Sequence, residues 1–333
     1  MAAPRYDVLG IGNAIFDILA HVDDDFIVRE KLAKGSMRLV DGDEIARLYG
    51  DLGQVVRISG GSGGNTIAGV ASLSGKAAYI GKVADDEFGA AYRHDMRGVG
   101  VTFDTDPLSG GAPTASCLVL VTPDGERTMS TFLGACQNLT PDDVDPALVA
   151  DAEITFLEGY LFDRPEAKAA FVRASEIAQA ADRRVALTLS DMFCVERHRD
   201  SFRHLVKNHI DVLFANEAEI KALYEVDDFE TALAKVRAET RVAAITRSEK
   251  GAVIVSGDEE VRVDADPVDT IVDTTGAGDQ FAAGFLAGYS RGADLHTCGR
   301  LGVIAAAEVI SHMGARPLVS LKDLAAQKGV TLD

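Results

Sequence analysis

From residue 153 onward, short apolar runs take turns with helical stretches, and this alternation restricts the fold more than any other feature of the chain. The runs at 153–158, 185–189, 211–214, 242–246 and 252–255 read as strands, and helices lie between most of them. Strand–helix alternation implies βαβ units, whose right-handed crossovers place helices on both faces of a mainly parallel sheet. A chain of 333 residues can hold one large α/β domain or two smaller ones. No internal repeat, low-complexity tract or long linker divides it, so one domain over residues 1–333 is expected.

The first half carries different punctuation. Tyr6–Gly12 reads as a strand ending in a Gly-Asn turn, and Ile15–Val22 alternates weakly before an acidic turn. Helices are expected at 43–50, 66–73 and 85–98, with a short buried strand at 77–81. Thr114–Val121 runs into Thr122-Pro123-Asp124-Gly125 and returns as Glu126–Phe132, a hairpin with the expected turn chemistry. A small β element built from about 15–40 and 103–134 is therefore expected over the C-terminal edge of the main sheet, where open α/β folds bind ligands. As a lid, it would keep water from competing for a reactive group.

The chemistry concentrates at Asp273-Thr-Thr-Gly-Ala-Gly-Asp279, followed by ten mostly small or apolar residues, Gln280 to Tyr289, that read as a buried helix. Gly276 and Gly278 allow a tight turn that exposes N–H groups where the helix begins, an anion site. Asp279 is an odd neighbour for an anion, since a carboxylate repels phosphate. It makes sense as the acceptor of a proton from a hydroxyl that attacks phosphorus, so the stretch points to phosphoryl transfer to an alcohol. A first-turn Asp is also a common capping device, and that reading stays open at this point.

Gly60-Gly61-Ser62-Gly63-Gly64-Asn65 is a second Gly-rich stretch, without the Gly-Lys-Ser/Thr of a Walker loop. Hydroxyl recognition suits it, because Asn65 offers a donor and an acceptor where a backbone can approach a ligand closely. Gly10-Ile11-Gly12 follows a strand, but Ile15 replaces the third glycine of a dinucleotide fingerprint and strand follows where a helix should. Asn13 and Asp17 are better read as polar groups at a strand end, suited to vicinal hydroxyls. Asn216 and Glu219 form a capping-box pattern, and Glu219 could equally hold Mg²⁺ through water. The polar turn Thr246–Gly251 would reach phosphates or simply be a solvated loop.

Composition removes several classes. A formal net charge of −19 argues against a phosphate-neutralising nucleic-acid surface. No basic-then-apolar leader and no run near the ~20 residues of a membrane span occur. Cys117, Cys136, Cys194 and Cys298 are scattered, as reduced thiols of a cytoplasmic protein would be, and the histidines lack zinc-ligand spacing.

Together these motifs resemble the pfkB family of ribokinase-like carbohydrate and nucleoside kinases, over nearly the whole chain. Asp273–Asp279 matches the C-terminal signature of that family. Gly60–Asn65, with Gly75, Gly81 and Asp85–Gly89, matches the N-terminal one, and Asn216–Glu219 its Asn-x-x-Glu motif. The resemblance implies a three-layer ribokinase-like α/β sandwich with a mainly parallel central sheet and a small β-sheet lid. It implies Asp279 as catalytic base, Gly276, Ala277 and Gly278 as anion hole, and Arg127 as a phosphate-facing arginine. It places Asn13, Asp17, Gly60, Gly61 and Asn65 on the acceptor, and Asn216, Glu219, Thr246, Gly251, Ala306 and Gly314 around ATP. Glu219 would organise Mg²⁺, and Asp273 with Thr275 would hold K⁺. Gly12–Ile18, Val22–Phe26 and Arg127 are similar to the adenosine kinases of the family, while 134–141 has a ribokinase flavour. Adenosine and a sugar such as fructose or ribose thus both stand as acceptors, and a catalytically silent nucleotide-sensing relative as a further alternative. The partners implied are small molecules, with a monomer or homodimer as the assembly.

Overall fold

A computed structural model of the chain describes residues 3–332, so the outermost positions of the expected domain lie outside the described residues. Among the described residues thirteen strands form two sheets: β1 (Tyr6–Ile11), β2 (Ile15–His21), β3 (Met37–Leu39), β4 (Val55–Gly60), β5 (Ala77–Ile80), β6 (Ala115–Val121), β7 (Arg127–Phe132), β8 (Ala152–Glu158), β9 (Arg184–Thr188), β10 (Val212–Asn216), β11 (Val242–Thr246), β12 (Ala252–Ser256) and β13 (Glu259–Val263). The large sheet has the order β13-β12-β11-β10-β9-β8-β1-β5. It is parallel from β5 to β11 and antiparallel only at the β11–β12–β13 edge. Strands buried on both faces are continuously apolar. In β1, Val8, Leu9 and Ile11 are all fully buried, which is why the central strands stood out in the sequence.

β13 was not expected. Its Glu259, Glu260 and Arg262 hide the strand signal, and charge of this kind suits an edge that must not pair further.

The small sheet has the order β3-β7-β6-β2-β4. Of the segments expected to build it, 15–21, 37–39, 115–121 and 127–132 pair there. Residues 103–114 do not; Thr102 just before them bridges to Ala78 of β5, and Leu108 bridges to Ala84 beyond that strand. In their place β4 pairs antiparallel with β2 and delivers the chain to the Gly-rich turn. Arg57 and Ser59 interrupt its apolar pattern, so it did not read as a strand.

Two helices bring the Gly-rich stretches together. Ser62–Ser72 begins four residues before the expected start at 66, with Gly63 and Gly64 inside it. Glycine is a poor helix former, so propensity placed the start too late and packing overrode it. Its partner, Ala277–Tyr289, is buried on all sides, with Phe281, Ala282, Ala283, Phe285 and Leu286 in the core. The two helices approach so closely that a Cβ at Gly69 would lie 2.6 Å from the Cβ of Ala283. Their N-termini lie side by side, with Ser62 Oγ bonded to Asp279 Oδ1 at 2.6 Å.

Candidate active site

Gly276 caps the helix Ala277–Tyr289 in the left-handed region, at φ 80° and ψ 0°, a conformation glycine adopts without strain. The Ala277 N–H closes the turn onto Thr274 O at 3.3 Å, whereas those of Gly278 and Asp279 have no protein acceptor among the described residues. Two open N–H groups at a helix start are what a transferring phosphoryl group requires. The carboxylate of Asp279 sits beside them. Ser62 Oγ donates to its Oδ1 at 2.6 Å and Asn65 Nδ2 to its Oδ2 at 3.2 Å. Burial pushes the carboxyl up to about 6, against the pull of Ser62 and Asn65. Such a group is ionised at neutral pH yet basic enough to take a proton. The capping alternative loses its ground, because the Asp279 oxygens are engaged by Ser62 and Asn65 from the other Gly-rich stretch.

That stretch forms the opposite wall. Gly61 has φ 82°, and a Cβ there would lie 2.2 Å from Asn13 O, while one at Gly60 would lie 2.0 Å from Asp17 Oδ2. Asn13, Asp17, Gly60, Gly61 and Asn65 are thus brought into one neighbourhood. Burial raises Asp17 to about 7; Arg316 and then Arg127 oppose this, and Asp279 adds to it.

Glu158, at the end of β8, was missed. It is 1% exposed and accepts from Gly63 N–H at 2.7 Å, Asn13 Nδ2 at 2.8 Å and Asn13 N–H at 3.2 Å. Burial lifts it to about 7, partly offset by the bonds from Gly63 and Asn13. It holds the Gly-rich turn against Asn13. A carboxylate closing the largely apolar run Ile154–Leu157, at the C-terminal edge of a parallel sheet, was the available signal.

Farther along the same edge, Asn216 and Thr246 end β10 and β11 and are register partners. Asn216 Oδ1 accepts from Glu219 N–H at 2.9 Å, and Glu219 accepts from Asn216 N–H at 2.9 Å, a complete capping box. Glu219 is buried, which pushes it to about 7; the Asn216 N–H lowers it and Asp191 raises it further. Asn216 Nδ2 also donates to Glu219 Oε1 at 2.6 Å, so both carboxylate oxygens carry a protein donor and would meet Mg²⁺ only through water. Ala306 lies on the helix Leu295–Ile310, and the Gly314 N–H donates to Asp273 Oδ2 at 2.9 Å. Gly251 has a reason internal to the fold: a Cβ there would lie 1.9 Å from Val263 O.

Arg127 reaches across from β7. Its Nη1 donates to Thr275 Oγ1 and pairs with Asp273 Oδ2, each at 2.6 Å. Asp273 Oδ1 accepts the Thr275 N–H at 3.0 Å. The side-chain oxygens expected to hold K⁺ are therefore engaged by a guanidinium and backbone N–H groups. They do not fit an additional monovalent cation, and Arg127 stands against the loop leading into the anion hole.

The Asp279 carboxylate, two open helix N–H groups and the polar residues Asn13, Asp17 and Asn65 gather in one region of this two-sheet α/β fold, the arrangement of the ribokinase-like class. Residues 41–321 match the sequence model described as pfkB family carbohydrate kinase. The chain belongs to that family and is a phosphotransferase. An adenosine kinase structure from Sinorhizobium meliloti is 51% identical, covers 97% of this chain and 99% of its own, and superposes with a TM-score of 0.91. A probable sugar kinase structure from Rhizobium etli CFN 42 is 47% identical, covers 98% and 99%, and has a TM-score of 0.92. The adenosine kinase of Saccharomyces cerevisiae is 28% identical over 94% of this chain and 96% of its own length. Among the described residues no helix is long and apolar enough to cross a membrane.

Proposed function

We propose that the protein transfers the γ-phosphoryl group of ATP to the 5′-hydroxyl of adenosine, giving AMP and ADP. The observation that carries this is the convergence of Asp279 with Ser62 and Asn65 beside the open Gly278 and Asp279 N–H groups. Asp17 and Asn13 bind the ribose hydroxyls, leaving the primary hydroxyl against Asp279. Asp279 takes its proton as the oxygen attacks phosphorus, and the helix N-terminus stabilises charge on the phosphoryl oxygens. Asn216, Glu219 and Thr246 border the ATP phosphates, with Ala306 and Gly314 toward the nucleotide. Glu219 would hold Mg²⁺, which neutralises phosphate charge when bound. The small sheet acts as a lid over the acceptor, carrying Arg127 toward the phosphates.

Adenosine is supported by the 51% identity to the S. meliloti adenosine kinase over nearly the full length. The 47% identity to the R. etli probable sugar kinase favours a sugar as the second reading. Coupled-assay turnover of ATP against a panel of nucleosides and sugars decides between them. Adenosine is expected to lead in kcat/KM, and a wide lead for ribose or fructose would overturn the nucleoside reading. A silent relative would turn over none of them.

Glu219→Gln removes the carboxylate but keeps the shape. It is expected to raise the Mg²⁺ needed for half-maximal rate about tenfold with the adenosine KM unchanged. A Mg²⁺ titration at fixed ATP checks this, and an unshifted midpoint would remove Glu219 from the ion.

A further inference from the structure

Residues 314–316, in the connection that follows the helix Leu295–Ile310, tie three separate parts of the site together. The Gly314 N–H donates to Asp273, and Ala315 O accepts from Gln280 Nε2 at 3.0 Å. The side chain of Arg316 then crosses to the acceptor wall. Its Nη1 donates to Ser59 Oγ at 2.6 Å, its Nε to Asn65 Oδ1 at 3.3 Å and its Nη2 to Met96 Sδ at 3.2 Å. None of these partners is a carboxylate. An arginine enclosed without a direct ion pair is costly, because its charge is desolvated and uncompensated.

We propose that Arg316 is a positioning residue for the acceptor side of the reaction: its guanidinium fixes the amide of Asn65, and through it Asp279, and its bond to Ser59 sets a positive charge beside Gly60, against which the Asp17 carboxylate lies. The inference rests on the reading above, in which Asp17 and Asn65 hold the acceptor and Asp279 takes its proton. Arginine has donors only, so the end of the Asn65 amide it touches must be the oxygen. The NH₂ end is thereby turned to Asp279 Oδ2, at 3.2 Å. A flipped amide would instead present its oxygen to the carboxylate. Asp17 has to be ionised to accept from two hydroxyls, and it lies in a crowded field. Arg316 and Arg127 act on it favourably and Asp279 unfavourably, while the Tyr92 phenol and Cys117 thiol lie close enough to feel its charge. Of the two cations Arg316 has the larger effect, and Arg127 is already paired with Asp273.

The test compares R316M, R316K and D279N with the wild-type chain, measuring kcat and the KM for adenosine and for ATP across pH. R316M is expected to lower kcat and raise the adenosine KM, each roughly tenfold or more, with the ATP KM within about twofold. Its acid limb of kcat/KM moves to higher pH, because Asp17 loses the cation that opposes its protonation. R316K keeps the charge but not the planar fork, so the limb returns toward the wild-type position while kcat stays low. An acid limb that does not move in R316M, or an ATP KM raised as much as that for adenosine, identifies a structural brace and overturns the proposal. If R316M fails to fold, R316K decides, since wild-type kcat there overturns the orienting role. D279N separates the two levels. Wild-type kcat in D279N sinks the underlying mechanism, and a dead D279N beside an unaffected R316M sinks only the role of Arg316.

Discussion

Asp279→Asn is expected to lower kcat by roughly 10²–10⁴-fold, the range for loss of a general base. The substitution keeps the size of the side chain and leaves Gly276 and the open N–H groups untouched, so ATP should bind with nearly its original KM. The pH profile makes the prediction sharper. Burial raises Asp279 to about 6 and Asp17 to about 7, and both act as carboxylates. Wild-type kcat/KM should therefore fall as pH drops through the range between those values, and the residual activity of D279N should lose the part of that limb due to Asp279. Stability moves the other way. A carboxyl raised on folding costs stability once pH exceeds its folded value, and the cost vanishes below its unfolded value. Removing it should leave the Tm at alkaline pH equal to or above that of wild type. Wild-type kcat on the best acceptor would end the assignment of Asp279 as base.

Gly276→Ala is expected to damage both stability and rate. The left-handed φ of 80° costs a non-glycine residue about 1–2 kcal/mol. The new methyl group would also lie 2.7 Å from the Cβ of Ala315, 2.8 Å from its Cα and 2.9 Å from its carbonyl oxygen. Ala315 has little freedom to yield, because its carbonyl accepts from Gln280 and its neighbour Gly314 is bonded to Asp273. The turn must shift, carrying the Gly278 and Asp279 N–H groups off target. Losing one such donor typically costs 10²–10³-fold in kcat. Gly278→Ala is the control, since nothing lies within 4 Å of a Cβ there. It should keep the wild-type Tm while G276A loses several degrees, and thermal melts of the two proteins distinguish them. Equal melting temperatures would mean that the contact with Ala315 does not constrain the turn.

Much of this site was legible because its parts are local. A helix N-terminus needs only a turn and a cap, so Gly276–Asp279 and the Asn216–Glu219 box could be read from adjacent residues. The apolar runs of β8 to β12 announced themselves because strands buried on two faces tolerate few polar residues. Parts that depend on a distant neighbour were not legible. β4 carries an interrupted apolar pattern until β2 pairs with it, and the charged residues of β13 give no strand signal until β12 does. Glu158 gains its role only from Gly63 and Asn13 on other elements. The ion pair of Asp273 was hidden for the same reason, since nothing near Asp273 in the chain announces that Arg127 will reach it.

By itself, the sequence determined the fold class, the family and the phosphoryl end of the chemistry, because periodicity, turn glycines and helix caps act over a few residues. Tertiary structure alone decided how Asp279 is held, which charges surround Asp17 and what fills the side chains of Asp273 and Thr275. Those outcomes are set by burial and by groups far apart in the chain, Asn65 and Ser62 from one helix start, Arg127 from β7 and Arg316 from the last connection. Desolvation and Coulomb forces act through space, and the spacing of residues along the chain carries no record of them.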